Sequence, residues 1–334
     1  MDPVSQGVLG AVFAQTRGPK SAMAKAAAIG AMAGMAPDLD VLIRSSTDPL
    51  LTLEFHRQFT HSLFFIPFGG LLCSLLLYPL LGKRWQLGYR QILLWCVIGY
   101  ATHGLLDWCT AYGTKLLWPL SHQPYALSII SVIDPMFTLP LLALVICAAV
   151  TKTRRYVIWA LLWGAIYLAI GYVQHQRAQA MGLELAQARG HQVLRMSVKP
   201  SFVNLAVWKT MYEADGRFYV DAVKPGVFKS RAWTGDSVEK LDVKRDFPWL
   251  DPASQQARDI TRFSLTSNGY LALDPNDRQR IGDIRYSLLP QEIAPLWGIA
   301  LSPDAGVDGH VAFYTQRGDA RAAAKRIGRM MFEE

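Results

Sequence analysis

Long apolar stretches fill the first half of the chain, and short alternating ones fill the second. Residues 62–81, 91–109, 135–150 and 156–173 each approach the roughly 20 apolar residues that cross a bilayer as a helix. The third stretch is short, and Pro140 falls inside it. Two earlier stretches, 4–15 and 22–37, are rich in Ala and Gly and only moderately apolar. They read as shorter helices, the first packed or re-entrant, and Gly30-x-x-x-Gly34 permits close helix contact. From about Gln174 the pattern changes. An amphipathic helix is expected over 174–192, then alternating runs at 202–210, 217–223, 281–288 and 296–301, punctuated by Gly, Pro and Asp as strands are. Helices are expected at 251–263 and 320–331. The pattern predicts an α-helical membrane protein with four long spans and one or two shorter N-terminal helices (1–178), followed by a C-terminal α+β soluble domain (179–334).

Composition fits that division. Of the 334 residues, 51% are hydrophobic and 18% charged, against about 25% charged in soluble domains. That argues against a wholly soluble protein and against a disordered one. The net charge is +8. Residues 1–178 hold 13 Lys and Arg against 7 Asp and Glu, a net of +6, and the remainder holds +2. In the apolar half the cations gather in three short loops: Arg17/Lys20/Lys25, Lys83/Arg84/Arg90 and Lys152/Arg154/Arg155. If each long segment crosses once, these share one side, which is the cytoplasm. Residues 37–61, 110–134 and everything after 173 then lie on the opposite, non-cytoplasmic face. No basic stripe marks a nucleic-acid partner. The opening residues lack the basic n-region of a cleaved signal peptide. Cys73, Cys96, Cys109 and Cys147 form no C-x-x-C pair and read as packing residues.

The few ionisable residues of the apolar half recur in four motifs. Such groups are costly in or beside a span and are functional candidates by default. Asp38 and Asp40, in Pro37-Asp38-Leu39-Asp40, follow an apolar run at a turn. Both reach one cation or two adjacent ones there, or else cap a helix. His56-Arg57-Gln58-Phe59-Thr60-His61-Ser62 supplies two imidazoles, the commonest metal ligand. Arg57 suits an anionic oxygen. His103 and Asp107 stand at i and i+4 on one helix face, as shared ligands or as a histidine and the carboxylate that orients it. Asp134-Pro135 opens the third long stretch, as an ordinary helix cap or as a seventh ligand. Together Asp38, Asp40, His56, His61, His103, Asp107 and Asp134 would serve one metal ion or two. Ion pairing explains the set less well, since Arg57 is the obvious cation at that depth.

These motifs, in this order, together with Asp2-Pro3, resemble the YdjM-like family of bacterial inner-membrane proteins, described as metal-dependent hydrolases. The resemblance covers about residues 1–140. Where some members carry a histidine near the N-terminus, this chain has Gln6. The His103-x-x-x-Asp107 spacing is also similar, more loosely, to zinc-dependent phospholipase C. The resemblance implies ester or phosphoester hydrolysis at a His/Asp metal cluster. Zinc is the first choice of ion, with manganese or iron suited to the same donors. The ion would activate water, Asp107 or Asp40 would accept the proton, and Arg57 would hold the anionic group. A site at the membrane face favours a lipid or lipid-linked substrate. Two other readings stay open: an ion- or proton-coupled transporter using the same cluster, and a non-catalytic membrane anchor. Oligomeric state is open too.

Overall fold

Asp2 starts the first helix: its side chain accepts from the backbone N–H groups of Val4 and Ser5, and Pro3 fills the first helical position. This helix, α1 (Pro3–Arg17), lies against α2 (Met23–Met35) and against α5 (Tyr89–Trp108). Small residues make these contacts possible. A side chain at Gly10 or Gly30 would run into the backbone of the other, and one at Gly99 would run into the backbone of Gly30. Between α2 and α5 come α3 (Leu51–Phe55) and α4 (Ile66–Leu77), and after α5 come α6 (Pro135–Thr151) and α7 (Arg155–Ala188). Asp134 caps α6 through the Phe137 N–H.

This computed structural model describes residues 1–226 and 229–332, which form two units. The first comprises Met1–Leu42, Phe55–Val173 and Phe202–Asn204, and is helical. The second comprises Ile43–Glu54, Gln174–Ser201 and the described residues from Leu205 onward. It holds a meander of β1 (Arg195–Pro200), β2 (Trp208–Ala214), β3 (Arg217–Lys224) and β4 (Arg231–Glu239). Helices α8 (Val243–Asp246) and α9 (Gln255–Thr266) follow. A second meander contains β5 (Leu271–Asp274), β6 (Asp277–Asp283), β7 (Trp297–Ala300) and β8 (Ala312–Thr315), and α10 (Ala320–Phe332) follows it. Met211, Phe218 and Val220 of the first sheet share a core with Tyr270, Ala272 and Ile284 of the second sheet's neighbourhood. The C-terminal end of α7 packs on the first sheet through Ala178 and Ala186.

The four-span expectation is corrected. Among the described residues, two helices are long and apolar enough to cross a membrane: Leu63–Gly82, which contains α4, and α7. Helix α6 has 17 residues, about 26 Å of rise against a hydrocarbon core of about 30 Å. Helix α5 is 20 residues long, but Gln91, Thr102, His103 and Asp107 dilute its hydropathy, and much of its surface is buried among other helices. An apolar run facing protein and one facing lipid look alike in sequence. The C-terminal region is likewise organised as two antiparallel four-stranded sheets, with short helices between and after them, rather than the small α+β domain expected.

Candidate metal centre

The Pro37–Asp40 motif forms a 3₁₀ turn, Ala36–Leu42, directly after α2. Its two carboxylates point to different partners. Asp38 Oδ1 lies 3.4 Å from His61 Nε2 and 3.3 Å from His103 Nε2. Asp40 Oδ1 meets His56 Nδ1 at 2.7 Å. Its Oδ2 accepts from the Arg57 N–H at 3.2 Å and from Thr60 Oγ1 at 2.8 Å, and lies 3.3 Å from His61 Nδ1. Arg57 adopts φ +63, a left-handed conformation rare outside glycine. That turn aims its N–H at Asp40.

His61 ends the 3₁₀ turn Phe59–His61, and His103 and Asp107 lie one turn apart on α5. Gly104 lets the two segments touch, because a side chain there would strike the His61 carbonyl. Tyr100 Oη donates to the Thr60 carbonyl at 2.8 Å, pinning the same turn to α5. His103 Nδ1 donates to the Gly34 carbonyl at 2.6 Å, which fixes its tautomer and turns Nε2 inward.

Four atoms now face one point. His61 Nε2 and His103 Nε2 are 3.0 Å apart. Asp107 Oδ2 is 3.3 Å from the first and 3.6 Å from the second. With Asp38 Oδ1 these form a small tetrahedron whose five measured edges run from 3.0 to 3.6 Å. A tetrahedral zinc ion with ligand bonds of about 2.0–2.1 Å requires edges of about 3.3 Å. Asp107 Oδ2 is buried and accepts no hydrogen bond among the described residues. Its Oδ1, in contrast, is held by Gln6 Nε2 at 3.0 Å, by Arg57 Nη2 at 3.3 Å and by the Met1 amino nitrogen. An orphaned buried carboxylate oxygen facing two imidazole nitrogens fits a cation. The donor set, two imidazoles and two carboxylates, fits zinc, manganese or iron. Asp38, His61, His103 and Asp107 are thus placed so that they could hold a metal ion.

Electrostatics point the same way. Burial alone would favour the neutral acids. The hydrogen bonds that His103 and His61 offer Asp38, and that His56 and His61 offer Asp40, outweigh it and hold both carboxyls well below the usual range. For His61, burial opposes a positive charge, but Asp107, Asp38 and Asp40 overcome it and push the imidazole up to about 10. Positive charge is stabilised at this point.

Asp40, His56 and His61 form a second group within reach of an ion. Asp40 Oδ2 also faces three donors, a placement from which Asp40 can orient both histidines. Arg57 is buried beside Asp107. It donates to Thr110 Oγ1 at 3.0 Å and stacks over Tyr112 at 4.9 Å. Asp134 lies in neither group: besides capping α6 it accepts from Tyr167 Oη at 2.7 Å. Gln6, Thr60, Thr110 and Gly34 support the site without having stood out as members of it. Thr60 lies inside the H-R-x-x-T-H-S motif, Gln6 where some family members carry a histidine and Gly34 in the Gly30-x-x-x-Gly34 spacing, whereas Thr110 carries no local signal.

Two histidines and two aspartates in a helical unit could hold a metal ion, and comparison supplies the family. The chain belongs to the YdjM inner membrane protein family, whose model matches residues 1–178. Over 127 residues it is 31% identical to the uncharacterized protein YfhP of Bacillus subtilis (strain 168), covering 38% of this chain and 38% of that protein. No solved structure matches the chain.

Proposed function

We propose that this protein is a metal-dependent hydrolase acting on ester or phosphoester bonds of lipid or lipid-linked substrates at the face of the inner membrane. The tetrahedral set of Asp38, His61, His103 and Asp107 atoms carries this reading. An ion held there would supply Lewis acidity, and would activate water by adding a fifth position or releasing one of the four side chains. The residues around it divide the remaining work. Asp107 serves as a ligand through Oδ2 and is neutralised through Oδ1 by Arg57, so proton acceptance falls to the Asp40–His56 pair. The His56 side chain is 30% exposed and connects that pair to solvent. Asp38, at 21%, is the ligand nearest solvent, and substrate enters on its side. Among the described residues, the buried Nε of Arg57 has no hydrogen-bond partner. A small shift of the guanidinium would offer it to an anionic oxygen.

The basic loops favour a periplasmic site. Arg154 Nη2 donates to the Gly18 carbonyl at 3.3 Å, and Lys25 Nζ donates to the Trp85 carbonyl at 3.0 Å. The three clusters therefore gather at one end of the helical unit, which the positive-inside rule assigns to the cytoplasm. The metal motifs occupy the opposite helix ends.

The test is metal analysis of detergent-purified wild type beside His103→Ala, with hydrolysis of phospholipid and phosphodiester substrates followed in parallel. Wild type should hold near-stoichiometric metal, and His103→Ala should lose both metal and turnover. Wild-type content below about 0.1 ion per chain after zinc or manganese loading overturns the reading. All four tetrahedral positions are filled by side chains, the form typical of structural sites. Full metal loading without turnover of any substrate would therefore assign a structural ion instead.

A further inference from the structure

Arg262 lies some 200 residues beyond the His56–His61 motif, yet it grips the loop that joins that motif to Asp38–Asp40. Its guanidinium makes five hydrogen bonds. Nε donates to Glu54 Oε2 at 3.0 Å, Nη1 to Asp48 Oδ1 and Asp259 Oδ1 at 3.0 Å each, and Nη2 to Asp48 Oδ2 and Glu54 Oε2 at 2.8 Å each. That uses every N–H an arginine side chain has. Asp259 is in turn held by His310 Nδ1 at 2.8 Å and by the Val311 N–H at 3.2 Å. Asp48 and Glu54 belong to Ile43–Glu54, a segment that groups with the second unit although its flanks belong to the first. Leu50, at its centre, is 1% exposed and sits in a core with Phe247, Leu250, Ile260 and Phe263.

The two ends of this segment are the metal motifs. The chain leaves the first unit after Leu42, two residues past Asp40, and returns at Phe55, one residue before His56. We infer that Arg262 is a positioning residue for the candidate metal centre: by clamping Asp48 in the middle of the loop and Glu54 at its C-terminal end, it restrains the segment that joins Asp38–Asp40 to His56–His61. Released from the clamp, the loop would have to be ordered at the moment an ion binds, and the ion would bind more weakly by that ordering cost. The consequence for metal rests on the metal-site reading above. The clamp itself does not.

The experiment uses the full chain in detergent and compares wild type, Arg262→Ala, Arg262→Lys and Phe218→Leu. The last is a destabilised control in the other core of the second unit. Hydrogen exchange is read first, without added metal. Arg262→Ala should speed amide exchange over 38–42 and 55–61 by about tenfold or more. Arg262→Lys should restore part of the protection, and Phe218→Leu should leave those segments as in wild type. Zinc affinity by chelator competition should then fall about tenfold in Arg262→Ala. Unchanged exchange in Arg262→Ala, or equal acceleration in Phe218→Leu, overturns the inference whether or not the protein binds metal. Wild type that binds no zinc overturns the metal reading alone. Should Arg262→Ala fail to fold, Asp48→Asn with Glu54→Gln removes the same clamp from the other side and is held to the same outcomes.

Discussion

At the scale of single residues the centre depends on which nitrogen each imidazole presents. His103 donates Nδ1 to Gly34, and His61 turns Nδ1 to Asp40 and Thr60, so both Nε2 atoms face inward. Asp40 is therefore predicted to matter without touching the ion. Asp40→Asn keeps the side-chain shape but removes the charge that orients His56 and His61. Its zinc affinity should fall about 10–100-fold with helix content unchanged, as outer partners of metal ligands usually require. Chelator competition beside circular dichroism checks this, and unchanged affinity would remove Asp40 from the centre. Much of this arrangement was legible in the sequence. Asp38, Asp40, His56, His61, His103 and Asp107 stand in spaced motifs, and a charge beside an apolar run is conspicuous. Asp134 shows the limit of that signal. Asp before Pro reads the same whether it caps a helix or binds an ion, and here it caps α6.

Among elements, an unusual contact joins β1 and β2. Lys199 and Lys209 stand directly opposite each other in the register, and both are buried. Lys209 Nζ donates to Ser287 Oγ at 2.7 Å and to the Glu292 carbonyl at 3.0 Å, while Lys199 lies over the Tyr286 ring. Burial pushes Lys209 down to about 7, partly offset by Asp283, Glu292 and Asp236. Burial, then the Lys209 charge, takes Lys199 well below the usual lysine range, with Asp283 opposing and Arg285 reinforcing. The unfolded chain keeps its lysines protonated to about pH 10. Above about pH 7 it therefore binds protons that the fold does not, and stability rises with pH. Thermal unfolding of wild type should shift upward between about pH 7 and 9, and Lys209→Met should flatten the rise. A flat wild-type profile would refute this. No alternation pattern announces such a pair, because lysine in a strand reads as an outward-facing residue. The long helices went the other way. Their apolar runs were plain in sequence, but whether a run such as α5 faces lipid or other helices is decided by its neighbours.

For the whole molecule, orientation is the property most open to direct measurement. With the basic clusters gathered at one end of the helical unit, an alkaline phosphatase reporter fused after Gly88 should be inactive, and one fused after Phe332 should be active. The reverse pattern would place the metal centre on the cytoplasmic side. The division into units was only partly legible. The composition shift near residue 174 is visible in the sequence, but the membership of Ile43–Glu54 in the second unit is not. Leu50 and Asp48 find their partners more than 190 residues away, and nothing near them in the chain marks the choice.

That separation sets an order of events during synthesis. Asp48 and Arg262 lie 214 residues apart. At about 5–20 residues per second, the loop between the two metal motifs waits some 10–40 s for its anchor to be made. The candidate ligands that flank this loop are therefore made well before the residue that anchors it. A chain halted before α9 would carry Asp38, His61, His103 and Asp107 without Arg262, so on the proposed reading it should bind zinc more weakly than the full chain.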